Sequence, residues 1–563
     1  MKERPWIQHY PEGVPLDLTI PDKPLHALLD EAVRDYPDRT ATIFKGKKVT
    51  YRQLDHMAGR FARALREMGV NPGDRVAIML PNVPQVVAAF YGALRAGAVV
   101  VMTNPLYVER ELEHQLNDSG ARVILALDLL KPRVEAVRPH TSLEHVIYTS
   151  IKDALPFPVS VLYPLKQKLP TIQAGPTTHL WTELMARYTP AFQPFDARPG
   201  DIALLQYTGG TTGVSKGAML THRNLVANTL QTIAWLGRDD ARMKETRILS
   251  ALPFFHVYGL TVCMNMAVAV AATMVLMPKF EAGEALELIE KHKPHLFPGA
   301  PTMYVAVINH PEVTRRNLSS IESCISGSAA LPVEVQTTFE RLTGGKLVEG
   351  YGLTEASPVT HSNPLTGLRK TGSIGLPFPS TEAKIVDMET GERELPMGEI
   401  GELCVRGPQV MAGYWNRPEE TARVLRDGWL YTGDMARMDE DGFTYIVDRK
   451  KDMIIAGGFN IYPREVEEVL YEHPAVQEAV AVGVPDSYRG ETVKAYLVLK
   501  QGQEATSDEI IAFCRERLAK YKAPTAVEFR ESLPKTIVGK VLRRKLLEEE
   551  KERQAQASES ARS

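Results

Sequence analysis

Apolar and polar positions follow two periods in turn along this chain. After Thr50, the residues Leu54, Met57, Ala58, Phe61, Ala62 and Leu65 recur at helical spacing, which predicts an amphipathic helix capped by Thr50 and ended by Gly69. The apolar run RVAIML that follows reads as a buried strand, and similar runs recur at ARVILAL, HVIYTS, IALLQY and TMVLM. Such alternation predicts α/β layers with largely parallel sheets, whose ligand sites lie beyond the carboxyl ends of the strands. The pattern breaks at DRKKDM, residues 448–453. Beyond it PREVEEVLYEH reads as a helix, VQEAVAVGV and VKAYLVLK as strands, and SDEIIAFCRERLAKY as a second helix capped by Ser507. The expected division is therefore a large body over 1–447, a junction at 448–453, a small α+β unit over 454–545, and a polar tail over 546–563 that frays into solvent.

Two stretches invite a membrane reading. Gly259 to Pro278 is uncharged and long enough to span, but alanines and Asn265 dilute it, and it reads as core ending in the strand MVLM. Leu155 to Pro170, LPFPVSVLYPLKQKLP, sets apolar residues beside Lys166 and Lys168. It reads as a proline-broken surface loop, with a membrane-surface segment as the alternative. The polar, proline-containing start MKERPWIQHYPEGV lacks the apolar core of a signal peptide.

Composition narrows the class. A chain of 563 residues, 44% apolar and 24% charged, is an ordinary globular protein of several structural units. Its net charge of −3 gives no electrostatic case for nucleic acid. The four cysteines are too far apart for a metal or redox motif and suit a reducing cytoplasm.

Candidate chemistry starts at YTGGTTGVSKG, which follows the apolar run DIALLQ. Glycines there let backbone N–H groups approach a ligand, and hydroxyls with a lysine suit phosphate oxygens. The Walker pattern puts its lysine after a glycine and a hydroxyl residue after the lysine, whereas here Ser215 precedes Lys216 and Gly217 follows it. This is a phosphate loop of another kind. SGSAALP and EGYGLTEAS each follow a strand-like run and offer small residues against which a flat ring can lie, with Tyr351 placed to stack on it. Glu355 adds a carboxylate, which beside a triphosphate means Mg²⁺. DGWLYTGDMARMDEDGFTYIVDRKK supplies Asp434, in a glycine turn, and Arg449, and LPKTIVGKVLRR carries Lys540 behind Gly539.

Taken together these stretches resemble the adenylate-forming enzymes, and most of all the bacterial long-chain fatty-acid CoA ligases. The resemblance implies a large N-terminal domain of two sheet-and-helix subdomains plus a β-barrel, followed by a small mobile C-terminal domain. It implies ATP, Mg²⁺ and coenzyme A, with a fatty acid as substrate and acyl-AMP as intermediate. Residue by residue, Tyr207, Thr208, Gly209, Gly210, Thr211, Thr212, Gly213, Ser215 and Lys216 would embrace the phosphates, with Thr208 and Glu355 touching the metal. Gly327, Ser328, Ala329, Glu349, Gly350, Tyr351, Gly352 and Thr354 would surround the nucleotide, and Asp434 and Arg449 would hold ribose. Lys540 would act on the reacting carboxylate and His256 would stand between nucleotide and acyl tunnel. Lys451 would be the hinge pivot, with Gly457 and Gly458 along the pantetheine arm. A tryptophan gates the tunnel in some members, and Leu260 takes its place here.

The chemistry accounts for these residue types. A carboxylate resists a thiol until attack on the α-phosphate of ATP turns it into a mixed anhydride, and a metal ion with a positioned ammonium stabilises the charge that builds there. One closed site cannot easily serve both adenylation and thiol attack, so the small domain is expected to rotate about residues 448–453. The competing readings are a luciferase-like oxygenase, a fatty acyl-AMP ligase, another carboxylate–CoA ligase, and a catalytically silent nucleotide or lipid binder. The expected setting is cytoplasmic, peripheral on the inner face of the cell membrane, as monomer or homodimer.

Overall fold

The computed structural model describes residues 4–208, 215–238, 242–243, 245–449, 452–456, 459–486, 489–536 and 540–560. The expected α/β architecture is present. An eight-stranded sheet runs in the order Gly413–Tyr414, Lys216–Thr221, Ile202–Thr208, Val99–Met102, Arg75–Met79, Ala121–Leu127, His145–Thr149, Thr178–Leu180. From Ile202–Thr208 onward its neighbours are parallel. Covered on both faces, such strands are apolar throughout, and Val99–Met102 is wholly buried.

Two four-stranded sheets form the second layered region, Arg247–Ser250, Thr273–Leu276, Thr40–Phe44, Lys47–Thr50 and Ser323–Ser326, Lys346–Gly352, Val359–Ser362, Leu376–Pro377. Bridges from Leu296 to Ile248 and to Ser323 join them. Helix Tyr51–Glu67 starts where its pattern predicts: Thr50 and Gln53 make a reciprocal capping box, and Leu54, Ala58, Phe61, Ala62 and Leu65 are buried. The uncharged stretch from Gly259 to Pro278 is core, as read. Among the described residues no helix is long and apolar enough to cross a membrane.

The β-barrel needs correcting. Glu382–Val386, Gly401–Arg406, Trp429–Met438, Leu425–Arg426 and Thr444–Arg449 pair as a five-stranded antiparallel sheet, and among the described residues it does not close. Its last strand spends its outer edge on Gly375, which accepts from Thr444 N at 3.0 Å, rather than on Glu382–Val386.

The C-terminal unit has its own core, with Ile454, Val466, Leu470, Ala481, Leu497 and Ile510 on one side of a sheet built from Ile454–Ala456, Phe459–Ile461, Val476–Asp486, Gly490–Leu499 and Ala526–Phe529. Val480, Val482, Tyr496, Leu533 and Leu546 fill the other side. The second helix is Ser507–Arg517, but Thr506 caps it, not Ser507: Thr506 is extended and accepts from Glu509 N at 3.3 Å while Ser507 already takes the first helical position. The last helix, Arg543–Ser560, continues through most of the polar segment expected to fray. Leu155–Pro170 is also not simply a loop, since Val159–Lys166 is helical with Pro164 inside it.

One element prepares the site. Val257–Gly259, the π-helical Leu260–Asn265 and Met266–Ala269 follow each other without a break, and π turns of this kind gather at functional sites. A Cβ on Gly259 would lie 2.4 Å from Pro253 O and 2.7 Å from Leu252 O, so only glycine lets the helix start this close to the preceding loop. Gly259→Ala should destabilise the protein by about 1–3 kcal/mol, the scale of overpacking a close contact. Chemical denaturation of the two proteins measures it. An unchanged midpoint would mean the loop yields freely.

Candidate active site

The glycine-rich loop is the turn of a hairpin. Ile202–Thr208 and Lys216–Thr221 pair antiparallel, with Thr208 opposite Lys216 and Tyr207 opposite Gly217. Gly209, Gly210, Thr211, Thr212 and Gly213 lie outside the described residues. At the base of the loop Ser215 Oγ donates to Thr208 O at 2.6 Å and His114 Nε2 meets Ser215 O at 3.0 Å. Tyr207 is buried and donates its hydroxyl to Asp118 at 2.7 Å. Desolvation and this carboxylate raise the Tyr207 phenol far above its ordinary value, so it stays a donor.

A second stretch closes over this hairpin. Gly413–Tyr414 pairs with the strand beginning at Lys216. Lys216 forms an ion pair with Glu420 and lies 5.4 Å from the centre of the Tyr414 ring. Tyr414 donates to Glu355 Oε1 at 2.7 Å, and Arg417 Nη2 pairs with Asp118 at 2.8 Å. Glu355 sits on the short helix Thr354–Ala356, directly after the strand that carries Glu349, Gly350, Tyr351 and Gly352. Tyr414, Arg417, Glu420 and Asp118 all escape a reading by motif. The glycine–aromatic cluster GYWNRPEET is the local signal for the first three, and it names no partner; Asp118 lies outside it.

A metal ion fits this place. The Glu355 carboxylate meets Tyr414 through one oxygen, Oε1, and Thr208 ends the strand from which the loop departs. Among the described residues no group of three or more His, Cys, Asp or Glu could hold a metal. One carboxylate suits Mg²⁺, which keeps waters and takes most of its other ligands from substrate phosphates.

The nucleotide candidates converge on the same edge. Gly327, Ser328 and Ala329 follow strand Ser323–Ser326, which pairs with Lys346–Gly352, so Ser326 stands opposite Glu349. Ser328 adopts a φ of +73°. Gly352 answers to packing as well as to a ligand, because a Cβ there would lie 2.2 Å from Pro358 O. Asp434 lies not in a turn but within the strand Trp429–Met438, beside Gly433 at φ +72°. Its register partner is Arg449, whose Nε is 3.4 Å from Asp434 Oδ1, and Tyr351 donates its hydroxyl to Asp434. One carboxylate thus joins Tyr351 and Arg449.

His256 feels the charge of Lys540 from the C-terminal unit. Its Nδ1 accepts from Tyr258 N at 3.3 Å, capping the helix that follows. Burial and the charge of Lys540 push the imidazole down to about 4, so the ring is neutral near pH 7. With Nδ1 accepting, the ring proton sits on Nε2, a donor. Lys540 itself is held by a small loop: its N–H donates to Thr536 Oγ1 at 3.1 Å and its carbonyl accepts from Thr536 N at 2.7 Å. Lys451, Gly457 and Gly458 lie outside the described residues.

Glu349 is an unusual member of the group. It is buried, its Oε2 has no hydrogen-bond partner among the described residues, and Arg464 of the C-terminal unit lies 3.6 Å from Oε1. Burial pushes its carboxyl up to about 7 against the pull of Arg464.

Comparison with known proteins agrees with this geometry. Residues 29–415 match the family described as AMP-binding enzyme, and residues 465–540 match the AMP-binding enzyme C-terminal domain. The chain is 55% identical over 561 residues to a long-chain-fatty-acid–CoA ligase of Bacillus subtilis (strain 168), covering 98% of this chain and 99% of that one. It is 42% identical to a protein of the same description from Escherichia coli O6:H1, over 97% and 98% of the two chains. Among solved structures, an anthranilate CoA ligase, AuaEII, in complex with anthranoyl-AMP superposes with a TM-score of 0.86 at 28% identity, over 96% of this chain and 99% of that one. ATP-bound MatB from Rhodopseudomonas palustris gives 0.83 at 31% identity, over 94% and 99%.

Glu349 yields a pH-dependent outcome. Its folded value lies above its ordinary 4.5, so the stability it contributes is complete below that pH and is lost as pH rises through about 7. Glu349→Gln should therefore gain stability over the parent protein between about pH 5 and about pH 8, by up to about 3 kcal/mol. Melting temperatures of both proteins at the two pH values measure this. A difference that does not move with pH would contradict it.

Proposed function

The chain belongs to the AMP-binding enzyme family, and on that premise we propose that it activates long-chain fatty acids, using ATP to form acyl-AMP and then coenzyme A to form acyl-CoA, with release of AMP and pyrophosphate. The observation that carries the reading is the convergence of the glycine-rich hairpin bearing Thr208 and Lys216, the Glu355 carboxylate met by Tyr414 at 2.7 Å, and the Asp434 carboxylate that joins Tyr351 and Arg449.

In this reading the hairpin base, with Thr208, Ser215 and Lys216, receives the β and γ phosphates, and loop residues 209–213 are assigned to them by resemblance alone. Bound Mg²⁺ supplies positive charge to the triphosphate, and Glu355 and Thr208 are the residues that would hold it. Tyr414 fixes Glu355, and Glu420 holds the Lys216 ammonium close to the loop. Tyr351 and the 327–329 loop line the adenine, while Asp434 and Arg449 take the ribose hydroxyls. The reacting carboxylate lies between Lys540 and the Nε2 donor of His256, which stabilise the charge developed as it attacks the α-phosphate. Residues 1–447 and 454–545 then act as two bodies about the 448–453 junction, and turning replaces Lys540 by the segment with Gly457 and Gly458. We place the protein in the cytoplasm, peripheral to the membrane, and take monomer and homodimer as the two assembly states to distinguish.

A small, mostly apolar cavity, about the size one water fills, borders the π-helical turn. It is lined by Thr232, Leu236, Val262, Met266, Leu296 and Ile325, and Ile325 O accepts from the Tyr258 hydroxyl at 2.8 Å, beside the nucleotide loop. The π-helical turn contributes Val262, and Leu260 is buried in the same turn.

Incubation with ATP, Mg²⁺, coenzyme A and carboxylic acids of graded length, with product identification, tests the reading. Acyl-CoA with AMP is expected. Acyl-AMP as the end product would favour the acyl-AMP ligase reading, and ADP, or no turnover of any acid, would overturn the proposal.

A further inference from the structure

Helix Glu109–Ser119 carries none of the site motifs, yet it holds the phosphate hairpin at both ends of its loop. His114 and Asp118 stand one helical turn apart, on the same face. Asp118 accepts from the Tyr207 hydroxyl at 2.7 Å and from Arg417 Nη2 at 2.8 Å, and its carbonyl accepts from Trp415 Nε1 at 3.1 Å. His114 Nε2 meets Ser215 O at 3.0 Å. Asp118 therefore grips the strand that enters the loop, and His114 grips the residue that leaves it.

The helix itself is fixed to the sheet. Leu112, Gln115, Leu116 and Ser119 are buried beneath it. Gln115 Nε2 donates to Met102 O at 3.2 Å, and Met102 is the register partner of Gln206 on the strand that ends at Thr208. His114 thus reaches the loop from an element already referenced to the strand the loop departs from. A side chain with few rotatable bonds, carried on a packed helix, is a more precise support than a residue on a loop.

The contact sets a direction as well as a distance. A carbonyl oxygen only accepts, so the proton of the His114 contact sits on Nε2. Ser215 Oγ donates to Thr208 O at 2.6 Å and ties the two ends of the loop together, while His114 orients the tied end. The peptide between Ser215 and Lys216 is trans and planar, so a carbonyl fixed on His114 turns the Lys216 N–H the opposite way and fixes the backbone from which the Lys216 side chain starts. Burial and the Glu111 carboxylate raise the Tyr107 phenol above its ordinary value and the Ser215 hydroxyl acts against them, so Tyr107, just before the helix, also borders Ser215.

We propose that His114 is a positioning residue for the triphosphate: it acts through the Ser215–Lys216 peptide, holding the exit of the loop and the root of the Lys216 side chain where the β and γ phosphates are received. The inference rests on the reading of this hairpin as the triphosphate site. A support for that part of the nucleotide alone favours ATP and leaves AMP and acyl-AMP untouched, which confines its effect to the first half-reaction.

Affinities for ATP and for AMP, each with Mg²⁺ and without any acid, measured by titration calorimetry on the parent protein, His114→Ala and His114→Gln, test it. His114→Ala should bind ATP roughly three- to tenfold more weakly, the net scale of one hydrogen bond, and should bind AMP as the parent does. The KM for ATP in acyl-AMP formation should rise by a similar factor, with thioester formation from supplied acyl-AMP and coenzyme A unchanged. Glutamine brings an amide donor to about the reach of Nε2, so His114→Gln should recover most of the loss. If His114→Ala melts early, the comparison of His114→Gln with the shorter His114→Asn decides in its place, with Gln close to the parent for ATP and Asn weak. Equal losses for ATP and AMP, no loss for either, or a Gln variant as weak as its shorter counterpart would overturn the proposal. A parent protein that binds no ATP would overturn the triphosphate reading and the proposal together. The expected ATP pattern, with no acyl-CoA formed by the parent from any acid, would leave His114 in this role and remove the fatty-acid reading instead.

Discussion

Arg464, the second residue of helix Pro463–Tyr471, reaches out of the C-terminal unit to a carboxylate buried in the larger body. Its Nη2 lies 3.6 Å from Glu349 Oε1 and 3.4 Å from Gly372 O, while its N–H donates to Asp448 Oδ2 at 3.0 Å. Burial pushes Asp448 up to about 6, against the pull of Arg543, and Arg543 in turn binds Glu467 at 2.7 Å. Through Arg464 the small unit is joined to the larger body and to the junction. Glu349 has a backbone hydrogen bond from Leu331 and one long ion pair, but its Oε2 has no hydrogen-bond partner among the described residues, so part of its desolvation cost is unrecovered. In the proposed cycle the small unit leaves this seat between the two reactions.

On the other side of the gap the rigid part is the sheet. Tyr207, Asp118 and Arg417 tie the base of the phosphate loop to a neighbouring helix and to the segment carrying Tyr414 and Glu420. In the proposed reading the Lys216 cation and the Glu355 carboxylate are therefore positioned by strand pairing and side-chain contacts before any ligand arrives, which is where electrostatic stabilisation of a transition state gains most.

The sequence made the layered α/β body and the core face of helix Tyr51–Glu67 legible, because local periodicity and capping decide both. It also placed Thr208, Lys216, Glu355, Asp434 and Lys540 on one problem through their motifs. It could not show that Tyr414 holds Glu355, 59 residues away, or that Arg417 meets Asp118 across 299 residues, since such pairs exist only once the sheet has formed. Thr506 displaced Ser507 as a cap for a smaller reason: adjacent hydroxyl residues compete, and backbone conformation chooses between them. The barrel came from resemblance alone, and strand pairing decided against closure among the described residues.

The central claim is that the arrangement seen here serves the first half-reaction and that Lys540 acts in it. Pyrophosphate exchange with a fatty acid, and thioester formation from supplied acyl-AMP and coenzyme A, should be measured separately on Lys540→Ala. The account expects exchange to fall by roughly 10² to 10³, the usual loss for one preorganised charge stabiliser, with thioester formation nearly intact. Equal losses in both, or neither, would contradict it.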